Sequence, residues 1–79
     1  MVRYEEARVK PPWSSGYLYG VFGRAEWNGI WVPAAAAVPL SGDLGAVAAL
    51  SEKCTALQLS PEQLMDVASD FISQTAWEP

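Results

Sequence analysis

The sequence predicts an α+β fold: a small antiparallel sheet, built from a β-hairpin and an N-terminal edge strand, packed on a C-terminal two-helix hairpin. Three observations predict it. Asn28-Gly29, the preferred pair for a two-residue type I′ turn, sits inside a β-like stretch from Tyr17 to Val38. Leu44, Val47, Leu50, Cys54 and Leu57 recur at spacings of three and four and form one helical stripe. Ser60-Pro61-Glu62-Gln63 combines a serine N-cap, a proline at the first helical position and a glutamine at the capping-box position.

Taken in order, Val2 to Val9 alternates imperfectly and reads as a short edge strand that ends at Lys10-Pro11-Pro12. The double proline suggests an extended, rigid link, with Trp13 plugging the edge of the core. Ser14-Ser15-Gly16 is a turn signal. Around Asn28-Gly29, a simple hairpin register puts Tyr19, Val21, Gly23, Ala25 and Trp27 on the core face. Ile30, Val32, Ala34, Ala36 and Val38 face them. The opposite face then carries Leu18, Gly20, Phe22, Arg24 and Glu26 against Trp31, Pro33, Ala35 and Ala37. Pro33 cannot donate to a ladder, so its strand is an edge or ends early, and Ala34–Ala37 has the composition of a loop or helical turn. Ser41 is the expected N-cap of the first helix. Leu64, Val67, Ala68, Phe71, Ile72 and Thr75 form the buried stripe of the second, which reaches about Trp77.

The 79 residues, 51% of them hydrophobic, suit one domain, with residues 1–40 its β part and residues 41–79 its helical part. The formal charge of −4 is unevenly distributed. Arg3, Arg8, Lys10 and Arg24 offset Glu5, Glu6 and Glu26 in the first part. In the second, Lys53 stands alone against Asp43, Glu52, Glu62, Asp66, Asp70 and Glu78. An acidic half of this kind does not bind phosphates, so direct nucleic-acid binding is not expected. A lone Cys54 fits a reducing compartment, where a buried thiol acts as a small hydrophobe. Residues 1–12 hold no apolar stretch, and the run from Ile30 to Leu40 is too short and too broken by Pro33 and Pro39 to span a bilayer. The chain is therefore expected in the cytoplasm and off the membrane.

With no histidine in the chain, Ser–His–Asp and Cys–His catalysis cannot form, and no catalytic residue is assigned. Gly16, Gly20 and Gly23 do not make a GxGxxG loop and are read as sites of close packing or a bulge, so no cofactor is expected. Asp66 and Asp70 supply two ligands where calcium takes six or more oxygens, so no metal site is assigned. A helix-turn-helix cadence around Leu59-Ser60-Pro61 would put Glu62, Asp66 and Asp70 into a groove lined by phosphates, which is the wrong charge.

Two surfaces remain as candidate protein-binding sites. Glu62, Asp66 and Asp70 are spaced i, i+4, i+8 and would line one helix face, roughly opposite the Leu64/Val67/Phe71 face, with no basic residue anywhere in residues 54–79. Phe22, Arg24 and Trp31 would meet on the second hairpin face, with Glu26 opposite Trp31, and Trp and Arg dominate binding hot spots. On size and charge the expectation is a non-enzymatic protein-binding module. It would inhibit a larger complex with a basic nucleic-acid-binding surface, by occlusion, as phage and mobile-element inhibitors such as anti-CRISPR proteins do. The alternative is a homo-oligomeric structural, assembly or adaptor protein, most simply a homodimer through the hairpin face.

Overall fold

The computed structural model describes residues 1–76, with side chains to residue 73. Three strands, β1 (Val2–Val9), β2 (Leu18–Trp27) and β3 (Ile30–Ser41), form an antiparallel sheet in the order β1-β2-β3. Two helices follow, α1 (Leu44–Ala56) and α2 (Leu64–Ala76), with a 3₁₀ turn at Pro61–Gln63 leading into the second. Both helices lie on one face of the sheet, α1 against β1 and β2, α2 against β3. The expected α+β arrangement is therefore the one the chain adopts. Among the described residues no helix is long and apolar enough to cross a membrane.

The hairpin forms around Asn28 (φ 53°) and Gly29 (φ 79°), both in the left-handed region that a type I′ turn requires. From there Trp27 pairs with Ile30, Glu26 with Trp31 and Ala25 with Val32, as the simple register requires. The register then shifts. Arg24 pairs with Pro33 but Gly23 pairs with Ala35, so Ala34 is a bulge. One extra residue reverses the alternation, so Ala35 and Ala37, not Ala34 and Ala36, turn toward the core. The alanine run is strand after all. A second irregularity, between Tyr19 and Val21, contains the cis Val38–Pro39 bond and carries β3 on to Ser41. The two bulges accommodate both prolines in an edge strand, where a missing N–H costs no ladder bond.

The core joins Tyr4, Val21 and Ala37 from the sheet to Val47, Cys54, Leu64 and Ala68 from the helices. Tyr4, only 4% exposed, is its centre. Its cross-strand partner is Gly23, and a Cβ there would lie 2.6 Å from the Tyr4 ring, so the glycine makes room for the aromatic. The Tyr4 hydroxyl donates to the Leu59 carbonyl (2.6 Å). Burial, and secondarily the nearby Cys54, push the Tyr4 phenol above its ordinary value. Burial likewise pushes the Cys54 thiol up, which leaves it a core hydrophobe and a poor nucleophile.

Helix α1 also closes part of the free edge of β1. Gln58 accepts from the Val2 N–H and donates to the Val2 carbonyl, both at 2.9 Å. One turn earlier the Thr55 hydroxyl accepts from the Tyr4 N–H (2.9 Å), and its single proton is within reach of the Tyr4 and Ser51 carbonyls. Gln58 sits at φ 51° just beyond the helix, where glycine is the usual residue. Its N–H bonds the Thr55 carbonyl and that of Leu59 bonds Cys54, which is the Schellman pattern. Gln58 accepts left-handed strain, and its side chain completes the strand edge.

Several expectations need correction. Trp27 and Ile30 are not core: they are 67% and 61% exposed. The stretch just after α1 meets β1 at Val2, which pairs with Ala25, and Trp27 lies about two residues, ~7 Å, farther toward the hairpin tip. Trp13 plugs nothing and is 85% exposed, because Ser14 N–H bonds the Pro11 carbonyl and closes a turn that throws Trp13 outward. Pro11 is the buried residue there. The N-cap of α1 is Asp43, which accepts from the Ala46 N–H (3.2 Å), while Ser41 accepts from the Asp43 N–H. Ser60 makes no capping bond and donates to Glu62 instead (3.1 Å). Leu44, Leu57 and Ile72, at the margins of their helical stripes, are exposed. Ser51 takes a core position, its hydroxyl satisfied by the Val47 carbonyl (3.0 Å). The side chain of Thr75 and all of Trp77 lie outside the described residues.

Candidate functional site

The outer face of the sheet, turned away from both helices, collects the predicted aromatic site. Register places Arg3 and Glu5 of β1, Phe22, Arg24 and Glu26 of β2, and Trp31 and Pro33 of β3 on it. The Arg24 guanidinium lies over Phe22 (5.2 Å to the ring centre) and pairs with Glu5 (3.0 Å). Arg3, reaching across β2, covers the Trp31 ring at 4.7 Å. Phe22, Arg24 and Trp31 thus share a face, as their alternation predicted, with Glu26 opposite Trp31. Arg3 and Glu5 are partners the hairpin pattern could not reveal, because they come from a strand whose register only the fold sets. These contacts are half in solvent, each worth about 0.5–1 kcal/mol. Their structural effect is to lay the arginine stems over the aromatics, so this face is half-covered by its own side chains.

The helical layer carries the acidic site. Glu62, Asp66 and Asp70 are all exposed. They do not form one α-helical stripe: Glu62 belongs to the 3₁₀ turn, where the 3.6-residue spacing does not hold, and its carboxylate is bonded by Ser60. Asp66 and Asp70 are one turn apart on α2, about 6 Å along the axis. Nor is Asp70 opposite the apolar side of the helix. It lies about 60° around the axis from Val67, and the two residues line the same groove.

That groove, about 260 Å³, separates α1 from α2. Its walls are Leu50 and Leu57 on one side and Val67 and Phe71 on the other, with Leu59 closing the end and buried Cys54 below. Lys53 stands on the α1 rim and Asp70 on the α2 rim. The pair makes no salt bridge, and among the described residues the one ion pair is Glu5–Arg24 on the far side of the sheet. The sequence stripes marked most of these apolar residues as core. They line a groove because α1 and α2 each pack on the sheet more than on one another.

The aromatic face and the acidic helix are therefore on opposite sides of a two-layer domain, and no single flat contact can use both. Among the described residues no three Cys, Asp or Glu side chains come together as a metal-binding group. Comparison with protein-family models, with curated proteins and with solved structures finds no match to this chain.

Proposed function

We propose that this chain is a non-enzymatic protein-binding module that occupies a basic surface of a larger protein through its helical layer, with Asp66, Asp70 and Glu62 at the contact. One observation carries the reading: Asp66 and Asp70 are exposed and make no ion pair among the described residues, on a layer whose one described cation is Lys53. Carboxylates kept free in this way are available to the lysines and arginines of another molecule, and raise the rate of encounter with it. The surface that best suits them is one that ordinarily holds phosphates. Occupying it would block a nucleic-acid-processing complex by occlusion, the mode of the small acidic inhibitors, anti-CRISPR proteins among them, that phages and mobile elements carry.

Reversal of both charges, Asp66→Lys with Asp70→Lys, is expected to abolish capture of the basic partner from host lysate while the thermal unfolding midpoint moves little. Capture should weaken steeply between 50 and 500 mM salt, roughly the range over which the screening length falls from ~14 to ~4 Å. Retention of the same proteins by wild type and double variant would defeat the reading.

The outer sheet face favours a second reading, a homodimer. The face is neutral, with Arg3 and Arg24 balancing Glu5 and Glu26, and it exposes aromatic surface at Phe22 and Trp31, which suits a two-fold contact. In sedimentation, a dimer that Trp31→Ala converts to monomer would support it, and a monomeric wild type would remove it.

A further inference from the structure

The groove between α1 and α2 gives the acidic layer a shape as well as a charge. We infer that its occupant is a basic amphipathic helix of the partner, whose apolar side chains enter the groove while its lysines or arginines meet Asp70 and Asp66. This rests on the reading of the acidic layer as the contact surface and names what docks on it.

Three features lead there. The groove runs between two helices and is walled by aliphatic and aromatic side chains, the setting in which a third helix lays down an apolar stripe. At about 260 Å³ it takes a few large side chains, at the lower end for small-molecule pockets. Leu57, 68% exposed at its mouth, gives an anchor residue something to pack on before it is buried. The charge of the rim selects the occupant. Asp70 lines the groove and Asp66 continues the same flank one turn away, so a cation row on the docking helix, at spacings of three or four, would follow them. Lys53 on the other rim makes the groove electrically asymmetric, and the docked helix would turn a carboxylate or a neutral polar side chain toward it. An acidic helix would meet two carboxylates for one amine and be rejected.

The test uses a fluorescein-labelled 18-residue helical peptide with leucines at i, i+3, i+4 and i+7, lysines along the one flank that meets Asp66 and Asp70 and glutamines elsewhere, and a second peptide with glutamates replacing the lysines. Anisotropy should show saturable binding of the lysine peptide and none of the glutamate peptide. Leu57→Ser, an exposed change that spares the core, should weaken the lysine peptide at least tenfold, and Asp66→Lys with Asp70→Lys should abolish its binding. Amide shifts in nitrogen-15 spectra should map to Leu50, Leu57, Val67 and Phe71. If the lysine peptide binds, depends on the two aspartates and ignores Leu57→Ser, the groove is not the seat and the inference fails while the acidic surface stands. If it binds and ignores all three substitutions, or does not bind at 100 μM, the inference fails, and capture by wild type against the double aspartate variant decides the acidic surface separately.

Discussion

Replacing Tyr4 by alanine is expected to remove about 3–5 kcal/mol of stability, the range for a fully buried aromatic. A domain of this length has only about 4–12 kcal/mol in total, so the variant should lose at least about a quarter of its stability and melt well below wild type. The loss has three parts: the ring is 4% exposed at the centre of the core, it fills the space that Gly23 leaves, and its hydroxyl satisfies the Leu59 carbonyl. Tyr4→Phe separates them. It keeps the ring and leaves the carbonyl unpaired, for a cost of about 1–2 kcal/mol. The pH dependence supplies an independent check. The folded chain holds the Tyr4 proton more tightly than the unfolded chain, whose phenol titrates near 10.0. The stability this contributes is complete below that value and is lost as pH rises through the higher folded value. Tyr4→Phe should therefore flatten the alkaline limb of a stability–pH curve. Urea unfolding followed by circular dichroism measures all of this, and a Tyr4→Ala midpoint close to that of wild type would show that the core has been wrongly located.

Gly20→Ala is the second large effect. A Cβ at Gly20 would lie 2.3 Å from the Ala37 carbonyl oxygen and 2.6 Å from the Val38 Cα, both backbone atoms of the irregular stretch of β3 folded over it. Neither can rotate away, so the strand must shift, at a cost of about 3 kcal/mol, the upper end for overpacking. At about 4–8 °C per kcal/mol for a small domain, the melting midpoint should fall by more than ~10 °C. Gly16→Ala is the control. It meets nothing within 4 Å and should stay within about 0.5 kcal/mol of wild type. Gly23→Ala is intermediate in kind, because it strikes the side chain of Tyr4, which can move in part. Indistinguishable melts for Gly20→Ala and Gly16→Ala would mean that β3 does not cross Gly20 as described.

The contrast between these glycines shows what the sequence makes legible. Asn28-Gly29 names its own turn type because its conformation is set by two residues, and the helices announce themselves through a period of three to four. The alanine bulge at Ala34 does not: an inserted residue in a run of four alanines leaves no mark on the pattern, yet it decides which alanines face inward. Trp27 illustrates the other gap. Alternation tells which face a side chain takes but not how far the covering layer extends, and Trp27 is left 67% exposed. The candidate site divides in the same way. Phe22, Arg24 and Trp31 were legible as one face because strand period alone brings them together. Arg3, Glu5 and the α1–α2 groove were not, because each depends on how separate elements dock. The acidic residues were legible as charges, but the 3₁₀ turn that removes Glu62 from the helix, and the rotation that puts Asp70 on the groove, were not.

The closure of β1 by Thr55, Gln58 and Leu59 has a consequence for how the molecule comes into being. These bonds join residues 51 to 56 positions apart in a sequence of 79. During synthesis β1 emerges well before its partners Thr55, Gln58 and Leu59, a delay of several seconds at about 5–20 residues per second. Through that interval a nascent sheet would offer an open strand edge to any neighbour, and the core would lack Leu64 and Ala68. Folding should therefore be slower than that of a helical bundle of equal size, with the joining of β1 to the stretch that follows α1 as a long-range step.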